Sequence, residues 1–149
     1  MTDLVGLCRR LNEAGANYIV IGGMAMVQHG FVRATEDIDL LVDAAPANQE
    51  RIRSALMGLP DGAIREMRPE DLDVYAVVRV ADEVVVDLMK SANGVQYAEV
   101  GDSVVRVEIQ GVMIPFANLQ LLWRLKQTWR EKDAVDRMFL KERMKNDAP

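Results

Sequence analysis

The sequence predicts an α+β domain, a mixed β-sheet with helices packed mainly on one side. Three observations carry this. Apolar residues recur at helical spacing at both ends of the chain, and short β-branched runs fill its middle. The order of segments is mixed, with helix, strand, helix, strand, helix, several strands and then helices, which suggests α+β. The 149 residues suit one domain, placed at 1–145, with 146–149 as a disordered tail. Half the residues are hydrophobic and 28% are charged, which excludes disordered and fibrous classes.

Each element has its own signal. Residues 3–14 read as a helix, with Leu4, Leu7, Cys8 and Leu11 on its apolar face and Gly15 to end it. Tyr18 to Ile21 is a buried strand, and Met24 to His29 a short helix stopped by Gly30. Ile38 to Val42 is the second strand. Pro46 opens a helix over 46–58, and 59–69 is a loop. Val74 to Val80 and Val84 to Met89 read as strands joined at Ala81-Asp82. Asn93-Gly94 marks a turn, and Val104 to Ile109 pairs with Val112 to Ile114 around Gln110-Gly111. From Asn118 to Lys145 the chain reads as helical, with one apolar-edged stripe through Leu119, Leu122, Trp123 and Lys126 and another through Val135, Met138 and Phe139.

The net charge of -5 argues against a broad nucleic-acid-binding face. A local basic pocket remains compatible with it. One cysteine, Cys8, forms no internal disulfide and is expected as a buried structural thiol in a reducing compartment. The N-terminus shows no signal-peptide pattern, and the longest apolar run, Tyr18 to Val27, is too short to cross a bilayer. The expected location is cytoplasmic, with no membrane partner.

Asp37-Ile38-Asp39 is the most informative triplet. On a strand, Asp37 and Asp39 share one face, their α-carbons roughly 6.6 Å apart at ~3.3 Å per residue. Two carboxylates so placed can converge on one or two cations, and without a cation each raises the other's pKa. By itself the triplet also fits a strand with one solvated face. Asp87, alone in the apolar run Val84 to Met89, is a third candidate, because an acid in such a strand needs a partner. Asp73 and Asp82 fit exposed strand ends. Gly22-Gly23, between strand and helix, admits either a close backbone approach to a ligand or simply a tight turn.

Taken together, Tyr18-Ile-Val-Ile-Gly-Gly-Met-Ala and His29-Gly-Phe-Val-Arg-Ala-Thr-Glu-Asp-Ile-Asp-Leu resemble the signature of the DNA polymerase beta-like nucleotidyltransferase superfamily. That signature is a Gly-Gly or Gly-Ser turn, then Asp-x-Asp, then an acid on another strand. Within it the chain looks most like the small prokaryotic group related to abortive-infection nucleotidyltransferase toxins. The ending, Leu122 to Lys126 and then Arg130-Glu-Lys-Asp-x-x-Asp136, is similar too. The resemblance implies a nucleotidyltransferase fold and transfer of a nucleoside monophosphate from an NTP such as ATP to a hydroxyl acceptor. It implies Mg2+, with Mn2+ as a substitute, on Asp37, Asp39 and Asp87, which would be both metal ligands and catalytic residues. Gly22, Gly23, Arg33, Lys126 and Lys132 would bind the nucleotide. The acceptor stays open between RNA, protein and a small molecule, and an antitoxin partner or a homodimer fits the group. A catalytically degenerate nucleotide- or partner-binding module is the alternative. Gly-Gly in place of Gly-Ser removes a serine hydroxyl from the phosphate side.

Several other residues have two readings. His29 faces the pocket or caps its helix end. Arg33 contacts phosphate or pairs with Glu36 or Asp37. Thr35 serves its own loop. Lys126 and Lys132 reach a triphosphate or lie on a solvated helix face. Asp133 and Asp136 pair with Lys132 and Arg137 or orient an acceptor. Trp123 and Trp129 are expected to be packing residues.

Overall fold

A computed structural model describes residues 2–147. Helix α1 (Thr2–Glu13) buries Leu4, Leu7, Cys8 and Leu11 as its spacing predicts. Strand β1 (Tyr18–Ile21) follows, then α2 (Gly22–Gln28), β2 (Ile38–Val42) and α3 (Pro46–Leu56). A 3-10 turn at Ala63–Glu66 and the one-turn helix α4 (Asp71–Val74) lead to β3 (Val78–Ala81) and β4 (Val85–Met89). The small hairpin β5 (Ser91–Ala92) and β6 (Val95–Gln96) precedes β7 (Val104–Ile109), β8 (Val112–Ala117), α5 (Leu119–Leu125) and α6 (Glu131–Asp147).

Six strands form one mixed sheet in the order β3-β4-β2-β1-β8-β7. The β1/β8 and β2/β4 pairs are parallel and the other three antiparallel. This is the expected α+β class. Every residue of β1 is buried, so the middle of the sheet is covered on both faces. The core runs through β1, β2, β4 and β8, with Phe116, Ile19, Leu40 and Leu41 among its fully enclosed side chains.

Three expectations need correction. Val74 to Val77 is not strand: α4 ends at Val74, and Val74, Tyr75 and Val77 are exposed without a ladder partner. The hairpin turn is Asp82 to Val84 rather than Ala81-Asp82, since Ala81 pairs with Val85. The expected helical stretch is two helices separated at 126–130, and the second, α6, runs on through Asn146 and Asp147, residues expected in the tail. Ala148 and Pro149 lie outside the described residues.

The break turns α6 over. Val135 and Met138, expected inside, are exposed, whereas Asp133, Asp136 and Leu140 are buried. Trp129, expected to pack, is fully exposed, while Trp123 packs against the core. Of the α6 stripe only Phe139 keeps its expected role, meeting Phe31 edge-on at 4.8 Å. The buried acids explain the reversal. Asp136 lies 2.6 Å from Arg33 Nη1 and 2.9 Å from Lys126 Nζ, and Lys126 reaches Asp133 at 3.3 Å. Removing one member of a buried ionic group leaves the rest charged and unpaired. We expect Asp136→Ala to cost about 3–5 kcal/mol and Met138→Lys to stay within about 0.5 kcal/mol of wild type. Urea unfolding of both variants checks this, and the reverse order would reject the assigned face of α6.

Candidate active site

The sheet sets side by side residues that are far apart in sequence. In register across four neighbouring strands lie Arg79 on β3, Asp87 on β4, Asp39 on β2 and Ile21 on β1. Paired residues of adjacent strands project to the same face. Asp37 precedes β2 by one residue and joins the same cluster. The three carboxylates named by the sequence are thus brought together, with Gly22 just past the end of β1.

Gly22 is required by this packing. Its φ is +66°, and a Cβ there would stand 2.1 Å from Asp39 Oδ2. The close approach expected of this glycine is therefore made by the Asp39 carboxylate itself. Gly23 serves the 33–35 loop in the same way, since a Cβ would meet Thr35 Oγ1 at 2.5 Å. Helix α2 begins at Gly22, two residues ahead of the expected start.

A cleft of about 880 Å³ opens over the row. Gly22, Gly23, Arg33, Thr35, Glu36, Asp37, Asp39, Asp87, Arg79, Lys126, Arg130 and Lys132 line it. Drug-sized ligands occupy clefts of about 300–1,000 Å³. Its wall carries five basic side chains against four acidic ones, in a chain whose net charge is -5. Three of the five, Arg33, Lys126 and Arg130, are paired with Asp133 or Asp136, and Arg79 with Asp37 and Asp87, so Lys132 is the lining cation without an ion pair among the described residues. A side chamber of about 320 Å³ shares Gly22, Asp39 and Lys126, and adds Ile21, Ala76, Leu125 and Asn93. A separate hollow of about 470 Å³ around Tyr18, Tyr97 and Arg106 lacks acidic side chains.

All five residues proposed for the nucleotide line the cleft, but their partners differ from expectation. Arg33 pairs with Asp136, not with Glu36 or Asp37. Lys126 is buried and tied to Asp133 and Asp136, so it is no part of a solvated helix face. Asp133 also accepts from the Thr128 hydroxyl. Although burial pushes its carboxyl up, Thr128 and Lys126 outweigh this and hold it below the usual range. Arg137 donates to the carbonyls of Lys126 and Thr128, fixing the linker instead of pairing with Asp133 or Asp136. Lys132 is exposed and makes no ion pair among the described residues. His29 ends α2, with Nε2 2.9 Å from the Ala117 carbonyl, outside the cleft lining. Asp73 pairs with Lys90, and Asp82 accepts from the Asp61 and Ala63 amides. Both stand apart from the cluster. Cys8 is buried, and burial pushes its thiol up to about 11, as fits a structural role.

The residue that sequence reasoning missed is Arg79. Its Nε lies 2.9 Å from Asp87 Oδ1 and its Nη2 3.0 Å from Asp87 Oδ2, a bidentate pair. The same Nη2 lies 3.0 Å from Asp37 Oδ2. The buried acid of β4 thus has the partner its setting demands. Asp39 is left over. Burial first, then the neighbouring charge of Asp87, pushes its carboxyl up to about 6.

The donor chemistry suits a hard divalent cation, with three carboxylates on one wall and incomplete charge balance. As arranged, however, no three His, Cys, Asp or Glu among the described residues are disposed to hold one. The guanidinium of Arg79 bridges Asp37 and Asp87 instead.

No family model matches the sequence, and no curated protein matches it. Among solved structures, the chain is similar to a "putative nucleotidyltransferase" from Thermotoga maritima, with a TM-score of 0.57 and 16% identity. The match covers 99% of this chain and 92% of that one. This establishes a nucleotidyltransferase fold for essentially the whole chain.

The raised Asp39 has a pH consequence. Its carboxyl binds a proton more tightly folded, at about 6, than unfolded near 3.8. Stability from this group is therefore full below about pH 4 and is lost as pH rises through 6. Asp39→Asn is expected to gain on the order of 2 kcal/mol over wild type at pH 8 and little at pH 4. Urea unfolding at the two pH values checks it. An equal effect at both would contradict the burial and crowding assigned to Asp39.

Proposed function

We propose that this chain is a nucleotidyltransferase that transfers a nucleoside monophosphate from an NTP to a hydroxyl acceptor and releases pyrophosphate. The observation that carries the reading is the register row, which sets Asp39 beside Asp87 with Asp37 two residues away. The row forms the wall of a cleft that also carries cations, in a chain with a nucleotidyltransferase fold.

Asp37, Asp39 and Asp87 would hold Mg2+ or Mn2+. Bound there, such ions would neutralise the triphosphate and stabilise charge on the attacking and leaving oxygens. Lys132 and Arg130, at the exposed side of the cleft, would attract the phosphates. Lys126 and Arg33, fixed by Asp136, would present pre-oriented positive charge that needs no rearrangement on binding. Gly22 and Gly23 would let Asp39 and the 33–35 loop pack close to the start of α2, and so shape the cleft for the phosphate chain. The side chamber, with Ile21, Ala76 and Leu125 beside Asn93, offers apolar walls and an amide to a nucleoside. Asp87 would accept the proton of the acceptor hydroxyl as its oxygen bonds the α-phosphorus and the bond to the β-phosphate oxygen breaks. RNA, protein and small hydroxyl compounds all remain candidate acceptors. A role as the toxin of a toxin–antitoxin pair, and with it an antitoxin partner, rests on the motif resemblance. ATP as donor and a cytoplasmic location belong to the same reading. No described helix is long and apolar enough to cross a membrane.

One observation favours a second reading, a catalytically silent module that binds a nucleotide or partner. Both oxygens of Asp87 are engaged by Arg79. Incubation with Mg2+, each labelled NTP, tRNA and cell extract separates the two. Transfer predicts pyrophosphate release that falls at least about a hundredfold in Asp37→Asn and Asp39→Asn. Nucleotide binding without release in any mixture would favour the silent module. Release that survives both substitutions would reject the site.

A further inference from the structure

We infer that Arg79 is a resident counter-cation which competes with the divalent metal for the three carboxylates. On this account the chain takes up free metal weakly until the arginine is displaced. The inference rests on the cation site of the proposed function and concerns one residue that the motif resemblance does not include.

Four observations support it. First, Arg79 draws both its ion-pair partners from the carboxylate set, Asp37 and Asp87. The other paired cations of the cleft take theirs from α6: Arg33, Lys126 and Arg130 all bind Asp133 or Asp136. Second, its place is fixed by the backbone, because the β3–β4 register sets it directly opposite Asp87. Third, its guanidinium engages both oxygens of Asp87 and one of Asp37, the lone pairs that a metal would need. Fourth, it can leave. β3 is an edge strand, and the Arg79 side chain is 59% exposed, against 10% for Lys126. An ion pair that open to water is weak and screened by salt.

The consequence is an order of loading. A free divalent ion must break three hydrogen bonds and meet a positive charge already in place. A metal that arrives on a triphosphate brings anionic oxygens that a displaced guanidinium can bind instead. The site built this way prefers a metal–nucleotide complex to the bare ion.

The test is Mn2+ binding to the full chain without nucleotide, read by electron paramagnetic resonance of the free ion. Wild type, Arg79→Gln and Arg79→Lys are compared, with circular dichroism as the folding control. Removal of the positive charge that lies within 3.0 Å of Asp37 and Asp87 predicts Mn2+ affinity on the order of tenfold tighter for Arg79→Gln. Arg79→Lys, which keeps the charge, is expected to stay close to wild type. Wild-type binding that is unchanged or weakened in Arg79→Gln would overturn the competitor role while leaving the cation site intact. Absence of Mn2+ binding in wild type and both variants would overturn the site and this inference together.

Discussion

Two aspartates face each other across adjacent strands, and the rest of the site follows from that. Asp39 and Asp87 are register partners in the parallel β2–β4 pair. Like charges directly opposite destabilise a sheet, yet here they lie near its middle, with Asp87 buried. The fold relieves this only in part. Arg79, the next residue along the same row, takes Asp87 and reaches Asp37. Asp39 keeps no such partner, and its carboxyl is pushed up to about 6. A pair held without full compensation costs the fold stability once both carboxyls are ionised.

The surroundings of the pair are built to leave it accessible. Gly22 omits the side chain that would collide with Asp39. The 33–35 loop lies against Gly23, and Arg33 is held there by Asp136 from α6. Lys126 is held by the same acid from the α5 side. One buried carboxylate therefore fastens the loop before β2 to the C-terminal helices and sets the far wall of the cleft. The break at 126–130 makes this possible, since an unbroken helix would send Asp133 and Asp136 elsewhere. Arg137 closes the break by capping the Lys126 and Thr128 carbonyls.

Much of this is legible in the sequence where local rules act. β1, β2 and β7 fall on the residues that their apolar runs delimit. The turns at Asn93-Gly94 and Gln110-Gly111 have positive φ at both positions, as two-residue hairpins require. The three acids stand out because Asp-x-Asp on a strand and an acid in an apolar run are local anomalies. What failed depended on distant partners. Val74 to Val77 has strand composition, but Val74 closes α4, and Tyr75 and Val77 are exposed without a ladder partner. Val135 and Met138 carry a helical stripe, but the ionic pull of Asp133 and Asp136 decides which face is buried. Arg79 carries no local signal, because only the β3–β4 register sets it opposite Asp87. A turn at Ala81-Asp82 does not put it opposite Asp87, whereas the true Ala81–Val85 pairing does. The α6 partners of Arg33 and Lys126 had no local signal beyond two acids spaced i, i+3.

We propose that Asp37, Asp39 and Asp87 form one cation-binding wall for a nucleoside triphosphate. Anomalous diffraction from crystals grown with Mn2+ and a non-hydrolysable NTP analogue tests it most directly. The account predicts manganese density bounded by these three carboxylates, with the triphosphate in the cleft and the Arg79 guanidinium turned away from Asp87. Manganese bound elsewhere, or nucleotide seated in the cleft with the Arg79–Asp87 pair intact and no metal beside it, would contradict the account.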